Sequence, residues 1–412
     1  MKELYPRLKP IDEVIERYRD AIDKLPPIVV ARGCILTDGY HRWQAHLREG
    51  REQIAVIDLG NISDAEIVRE SITRNASFGQ QLSAADKKAL AAKLWSGALI
   101  QLQTAERIDE IAALLSVERR TVEYWTKDAR AEEKQRAQAQ AWDLWLDCKS
   151  QREIADDIGR EFPAFTGVSQ PTIKDWVDDR NAKVFANLSP PASRQHFDIW
   201  QFQTADQDAG SQSYPGATPP QVLLNLLWFF TEPGQIVFDP FAGSGTMIDV
   251  AKSMGRRVWA SDIRGNFYSA HLPIHKHDIL TGWPSDAPAK PDLAFLDPPY
   301  WKQAAGRYSS EPNEMAEMDL PAFYAAWAKV VQIVSKHAKR VAYIVSPTQN
   351  DDGSVVDHAT DMLTPFVSAK WHVERRIIVP FTTGQATGQQ VTWARDNRRM
   401  LKLYRDLVVL GR

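Results

Sequence analysis

Two short runs carry residues whose types and spacing could do chemistry together: DPFAGSGT, from Asp239, and DPPYW, from Asp297. In the first, the apolar residues Ile236, Val237 and Phe238 read as a strand. Gly243 and Gly245 let the backbone turn tightly against a ligand, and Thr246 can open a helix. Asp262 ends the next apolar run, where a carboxylate can accept hydrogen bonds from a ribose. A glycine-rich turn by itself is also ordinary turn chemistry, so DPPY is the more discriminating signal. Pro298 and Pro299 hold the backbone extended and remove two donors, which leaves carbonyls free to accept. Asp297 adds a carboxylate and Tyr300 a flat face. The set suits a planar base with an exocyclic amino group, whose two hydrogens Asp297 and the Pro298 carbonyl would accept while Tyr300 stacks on the ring.

Such residues need a scaffold that brings distant turns to one edge. From QIVFDPF onward, apolar runs alternate with helical patterns: RRVWASDI, DLAFLDPPY, a helix near Pro321 to Lys336, then RVAYIVS. That alternation predicts an α/β, doubly wound and mainly parallel sheet covered by helices, with ligands bound beyond the carboxyl ends of its strands. RIIVPF and MLKLYRDLVVLG are two more strand candidates, expected to extend the sheet at one edge. Upstream, ANLSPPASRQH reads as a linker. Before it, RIDEIAALLSVERRTVEYWTKD and SQREIADDIG…GVSQPTIKDWVDD share one layout: Ile-Ala before a break, then a second helix ending in Trp125 or Trp176. This is the pattern of a helix-turn-helix, whose second helix exposes polar residues to a groove. The candidates there are Arg119, Arg120 and Thr121 in one block, and Gln170, Thr172 and Lys174 in the other. The expected domains are therefore 1–75, a small α+β segment; 76–188, helical; and 189–412, the doubly wound sheet.

Composition narrows the classes. Cys34 and Cys148 lie far apart with no metal-ligand spacing around them, so neither a disulfide framework nor a metal site is expected. The net charge of -3 gives no global basic field, and nucleic-acid binding has to come from local patches. No apolar run is long enough to span a bilayer, and the start MKELYPRLKPIDEVIERYRD lacks the apolar stretch of a signal peptide, so the expectation is a cytoplasmic protein without membrane contact.

From about His196 to its end the chain resembles the S-adenosylmethionine-dependent amino-group DNA methyltransferases, with FDPFAGSGT as the cofactor loop and DPPY as the catalytic motif. The resemblance implies a Rossmann-like methyltransferase sheet, S-adenosylmethionine as cofactor and double-stranded DNA as partner. It implies that Asp239, Phe241, Gly243, Gly245 and Thr246 surround the methionine part, Asp262 the ribose and Asp278 the adenine. YPGATPPQVLLNLLWFF resembles the family's cofactor-side helix, which brings Thr218, Pro219 and Pro220 to the same ligand. LTDGYHRWQAH is similar to the ParB-like domain of plasmid-partition proteins, and its Asp38, His41 and Arg42 imply a nucleotide or phosphate site. The arginine-rich box of nucleotide-hydrolysing members is reduced here to Gly39, His41 and Arg42, which leaves nucleotide binding open against a capped surface turn.

Carbon-5 methylation of cytosine needs a cysteine nucleophile, and neither cysteine lies in the sheet domain, which leaves attack by an amino nitrogen. An aspartate at position 297 is, in the resembling family, commoner with adenine than with cytosine, so N6 of adenine is favoured over N4 of cytosine. The alternative is a ParB-like DNA-binding partition or regulatory protein with an inactive methyltransferase domain. No nuclease cluster is visible, and a restriction role would need a partner. Little chain separates the cofactor loop from DPPY, so sequence recognition is expected in the helix-turn-helix blocks, with Lys302, Arg307, Arg395, Arg398 and Arg399 contacting phosphates.

Overall fold

The computed structural model describes residues 10–77, 82–97, 99, 107–202, 209–210, 218–267, 269–302, 314–350, 354–380 and 387–412. Arg307 lies outside the described residues. The chain forms two compact units: one takes residues up to Gln140 together with Ala155–Ser169, the other Ala141–Ile154 and Gln170–Arg412.

The first unit opens with α1 (Asp12–Asp20), β1 (Ile28–Ala31), β2 (Ile35–Asp38), α2 (Tyr40–Arg48) and β3 (Val56–Asp58). β1 is central, antiparallel to β2 and parallel to β3. Gly39, with φ of 95°, precedes α2, and the Arg42 guanidinium donates to the carbonyls of Pro26 and Pro27 and to Asp38. The helices α3 (Asp64–Ser77), α4 (Ala84–Trp95), α5 (Arg107–Leu115) and α6 (Arg119–Trp125) follow. Apolar residues at helical spacing, Ile72, Leu90, Leu94, Ile111, Leu115 and Val122, bury one face of each into a common core. Ser83 and Asp86 form a reciprocal capping box that starts α4.

Two helices, α7 (Lys127–Leu146) and α8 (Gln151–Glu161), run across the division between the units. The second unit continues with α9 (Gln170–Ala186), α10 (Pro220–Phe230), β4 (Ile236–Asp239), α11 (Thr246–Ser253), β5 (Arg257–Asp262), β6 (Ile274–Lys276) and β7 (Leu293–Leu296). After these come α12 (Leu320–Val334), β8 (Arg340–Val345), the hairpin β9 (Thr348–Gln349) and β10 (Val355–Val356), α13 (His358–Asp361), α14 (Thr364–Ser368), β11 (His372–Pro380), α15 (Gly388–Asp396) and β12 (Tyr404–Gly411). Seven strands make one sheet in the order β11-β12-β8-β7-β4-β5-β6. β4 to β8 run parallel, and β12 enters antiparallel between β8 and β11. The expected addition of two strands at one edge holds, and the short β6 extends the other edge.

The unbroken apolar runs of β4 and β7 follow from burial on both faces. Leu223, Leu227, Met247 and Ile248 of α10 and α11 cover one face; Phe323, Trp327 and Val331 of α12 cover the other. The unit also includes residues ahead of the expected linker. Arg257 donates to the Trp145 carbonyl at 3.1 Å with its guanidinium over the Trp145 ring, Lys252 pairs with Asp147, and Phe185 and Leu188 pack at Gly255. Those aromatic contacts explain why compactness does not break at the Pro190-Pro191 pair.

On the α12 side, His358 is 1% exposed and its ring nitrogens meet the Tyr324 and Thr348 hydroxyls, each at 3.0 Å. Burial pulls its pKa down from 6.5 to about 4, with Lys402 acting the same way and Asp361 and Asp357 opposing. Between those values the unfolded chain binds a proton that the folded protein refuses, so His358 makes stability fall as pH drops from 6.5 towards 4. The full penalty is on the order of 3 kcal/mol, at about 1.4 kcal/mol per pKa unit. We expect His358→Gln to flatten the pH dependence of urea-unfolding stability across this window. A slope equal to the parent's would contradict the burial of a neutral ring.

Candidate active site

The parallel strands reverse their order of addition between β4 and β7, and the two key turns leave the carboxyl ends of these neighbours. Asp239 is the last residue of β4, and Asp297 directly follows β7. A pocket open to solvent lies there. Its lining brings together Thr218, Asp239, Phe241, Gly243, Thr246, Asp297, Pro298, Pro299 and Tyr300 from the sequence-derived set. Pro219, Pro220, Gly245, Asp262 and Asp278 do not line it. Ser244, Leu223, Met247 and Phe295 also line it without having been singled out.

The glycine loop is built from backbone. Gly245 caps α11 with φ of 82°, and a Cβ there would sit 2.3 Å from Leu272 Cδ1. Asp262 holds the loop from β5: its Oδ2 accepts the Gly243 amide at 3.0 Å, and its Oδ1 accepts that of Arg264 at 2.9 Å. Gly210, whose amide donates to Asp249 at 2.8 Å, passes so close that a Cβ on it would lie 2.4 Å from Thr246 Oγ1. Ser244 and Thr246 share a hydroxyl hydrogen bond of 2.8 Å. Asp278 caps the short turn Ile279–Thr281 by accepting the Leu280 amide at 2.9 Å, and Pro219 and Pro220 start α10.

Three carboxylates give the pocket its electrostatics. Burial pushes Asp239 well above the usual carboxylate range, the Phe241 amide opposes this, and the charges of Asp297 and Asp262 raise it further. Burial also raises Asp262, against the amides of Arg264 and Gly243. Asp297 is raised by burial and lowered by Arg405, Thr218 and the Tyr300 hydroxyl. The Thr218 hydroxyl donates to Asp297 at 2.6 Å and accepts from Arg405 at 3.3 Å. Arg405 was not anticipated; an arginine inside the apolar run LYRDLVVLG is its only trace in the sequence. Tyr300 faces the pocket while only 7% exposed.

The remaining candidates lie elsewhere. Arg119, Arg120 and Thr121 open α6, after a break of three residues from α5. Arg119 is held by Asp109 and Glu123, whereas Arg120 is exposed and Tyr124 is 74% exposed on the same helix. Gln170, Thr172 and Lys174 open α9, with Lys174 paired to Asp178. Among the described residues no His, Cys, Asp and Glu cluster could hold a metal, and no helix is long and apolar enough to cross a membrane.

A parallel sheet with a glycine loop and a carboxylate-lined pocket at its order-reversal point is the place where open α/β sheets bind ligands. The model of the DNA methylase family of N6 and N4 methyltransferases matches residues 15–271, more than half of the chain. The chain belongs to that family. Type II methyltransferase M.BglII of Bacillus subtilis is 25% identical over 134 residues, covering 30% of this chain and 36% of the relative, so the chain spans about a third of that relative's length. Among solved structures, a precorrin-6y C5,15-methyltransferase from Geobacter metallireducens aligns at a TM-score of 0.31 and 13% identity, covering 53% of this chain and 100% of that one. A SAM-dependent methyltransferase from Archaeoglobus fulgidus aligns at 0.30 and 11%, covering 47% and 92%.

The family's cofactor is S-adenosylmethionine, and the residues fit it. Asp239, whose proton affinity Asp297 and Asp262 raise, gains from a cation placed beside it, and Gly245 holds the glycine loop in a turn too tight for a side chain. Gly245→Ala should cost about 1–3 kcal/mol in urea unfolding, from the positive φ and the clash with Leu272, and weaken cofactor binding. Unchanged stability and unchanged calorimetric affinity would contradict the tight turn.

Proposed function

We propose that this protein transfers a methyl group from S-adenosylmethionine to the exocyclic amino group of a base in DNA, with N6 of adenine as the acceptor. The observation that carries the reading is the placement of Asp297, Pro298 and Tyr300 on the same pocket as the glycine loop. The cofactor supplies an electrophilic methyl group on a sulfonium. Everything else is alignment and electrostatics by the chain. Asp239, Gly243 and Thr246 lie where they would hold the cofactor's polar part, with Asp262 keeping their loop in place. Asp297 and the Pro298 carbonyl accept hydrogen bonds from the amino group, directing the nitrogen lone pair at the methyl carbon. Methylation would place positive charge on that nitrogen. The Asp297 carboxylate stabilises that charge and takes up the proton the nitrogen sheds. Tyr300 gives the ring a face, and its burial keeps that face fixed.

We assign substrate reading to the amino-terminal unit and the helices around it, as ParB-like and helix-turn-helix modules. The short α5–α6 connection and the exposed Arg120 and Tyr124 support α6 as a groove-facing helix, with α9 as its counterpart. Arg42 spends its donors on chain carbonyls and on Asp38, which favours a structural part for that turn over a nucleotide site. Lys302, Arg395, Arg398 and Arg399 are exposed and are proposed to contact phosphates.

The test is incubation with DNA and methyl-labelled cofactor, followed by mass spectrometry of the nucleosides. N6-methyladenine is expected, and label in protein, or none in DNA, would contradict the reading. Asp297→Ala should lower kcat by about 100-fold or more while cofactor affinity stays near the parent's, because its hydrogen bond counts most in the transition state. Near-normal turnover on saturating DNA would remove Asp297 from the chemistry. Arg120→Ala with Thr121→Ala, and separately Gln170→Ala with Thr172→Ala, should broaden the set of methylated sites mapped by sequencing, each lost base contact removing about 1–3 kcal/mol of discrimination. An unchanged motif in both would shift recognition to the sheet unit's loops.

A further inference from the structure

Arg405 is 6% exposed, on a strand that otherwise buries apolar residues. Side chains alternate along β12, so Arg405 faces the α10 and α11 side while its neighbour Asp406 faces the other, where Arg376 donates to it at 2.9 Å. A buried arginine is costly unless its charge and donors are used. Here Nη1 donates to Thr218 Oγ1 at 3.3 Å, that hydroxyl donates to Asp297 at 2.6 Å, and the guanidinium carbon lies 5.9 Å from the Tyr300 ring centroid. The arginine thus bonds to Thr218, which holds the proposed acceptor carboxylate, and lies near the ring of Tyr300, which also lowers that carboxylate's proton affinity.

We propose that Arg405 is a positioning residue for the transfer step: through Thr218 it fixes the orientation of Asp297, and it supplies the positive charge that keeps this carboxylate in its accepting form. The inference rests on the proposed methyl transfer. Among the described residues, the titratable or charged groups acting on Asp297 are Arg405 from β12 and Tyr300 from its own loop, while Asp297 and Asp262 both act on Asp239 of β4. Burial pushes Asp297 towards its neutral form, and a neutral carboxyl could neither accept the second hydrogen bond as strongly nor take the proton. Arg405 is the one cation in that set, and it opposes the effect of burial. Thr218 adds direction, because a hydroxyl that accepts from Arg405 has its own hydrogen left to point at Asp297.

The test separates this role from packing and from the functional reading. The carboxyl carbon of Asp297, labelled and assigned by its loss in Asp297→Asn, is titrated by nuclear magnetic resonance in the parent, in Arg405→Gln and in Arg405→Lys. The expected result is a midpoint about one unit or more higher in Arg405→Gln and close to the parent's in Arg405→Lys, the range over which a neighbouring arginine moves an aspartate. In parallel, the acid limb of the kcat profile should move up by the same amount in Arg405→Gln, with cofactor affinity within about threefold of the parent's and Arg405→Lys recovering most of kcat. An unshifted midpoint overturns the proposal, as does a defect confined to cofactor affinity. A parent that fails to label DNA while the Asp297 midpoint still shifts refutes the functional reading and leaves the electrostatic link standing. Thr218→Val, which removes the bridging hydroxyl and keeps the arginine, covers the case in which Arg405→Gln does not fold: kcat should drop with a smaller midpoint shift, and a parent-like kcat overturns the bridge.

Discussion

The crowding of Asp239, Asp297 and Asp262 at the ends of neighbouring strands is the constraint on which the rest of this site depends. Each carboxylate is at least partly withdrawn from water, and two of them raise the proton affinity of the first. Such a cluster persists because the fold supplies a hydrogen-bond donor to each of its members. Backbone amides of Phe241, Gly243 and Arg264 serve Asp239 and Asp262. Among the described residues Asp297 is held by side chains instead, Thr218 with Arg405 behind it. On the proposed reading the division has a functional logic, because side-chain partners can adjust when a substrate amino group arrives whereas a loop held by amides keeps one shape.

The doubly wound sheet explains why these groups meet at all. Strands added outward from β4 in both directions leave a gap over the β4–β7 pair, and the connections there diverge to opposite faces. The antiparallel β12 then contributes from a direction the parallel strands cannot, carrying Arg405 to the same edge from the far end of the chain. The pocket draws on α10, β4, α11 and β7, and Arg405 of β12 connects to it through Thr218.

Much of this was legible in the sequence, and the reasons are local. DPFAGSGT and DPPY announce themselves because glycine and proline have fixed backbone consequences, and the apolar runs of β4, β5, β7 and β8 are too uniformly buried to be mistaken. Arg405 was not legible, since its meaning comes from pairing across a sheet to residues far away in the chain. Asp262 was legible as a carboxylate at a strand end, yet the structure shows its oxygens already engaged with Gly243 and Arg264. The start of the second unit was obscured for a similar reason: the double proline marks an extended connection, while Trp145, Asp147 and Phe185 ahead of it pack onto Arg257, Lys252 and Gly255.

If the shared negative charge of this pocket is what makes it a cofactor site, binding a cation there must lower the proton affinity of Asp239. Calorimetry of S-adenosylmethionine binding at mildly acidic pH, repeated in buffers of different ionisation enthalpy, counts the protons exchanged. Net proton release is the predicted result, growing as the pH is lowered into the range where Asp239 is protonated in the free protein and absent in Asp239→Asn. Proton uptake, or binding with no proton linkage in the parent, would contradict the account.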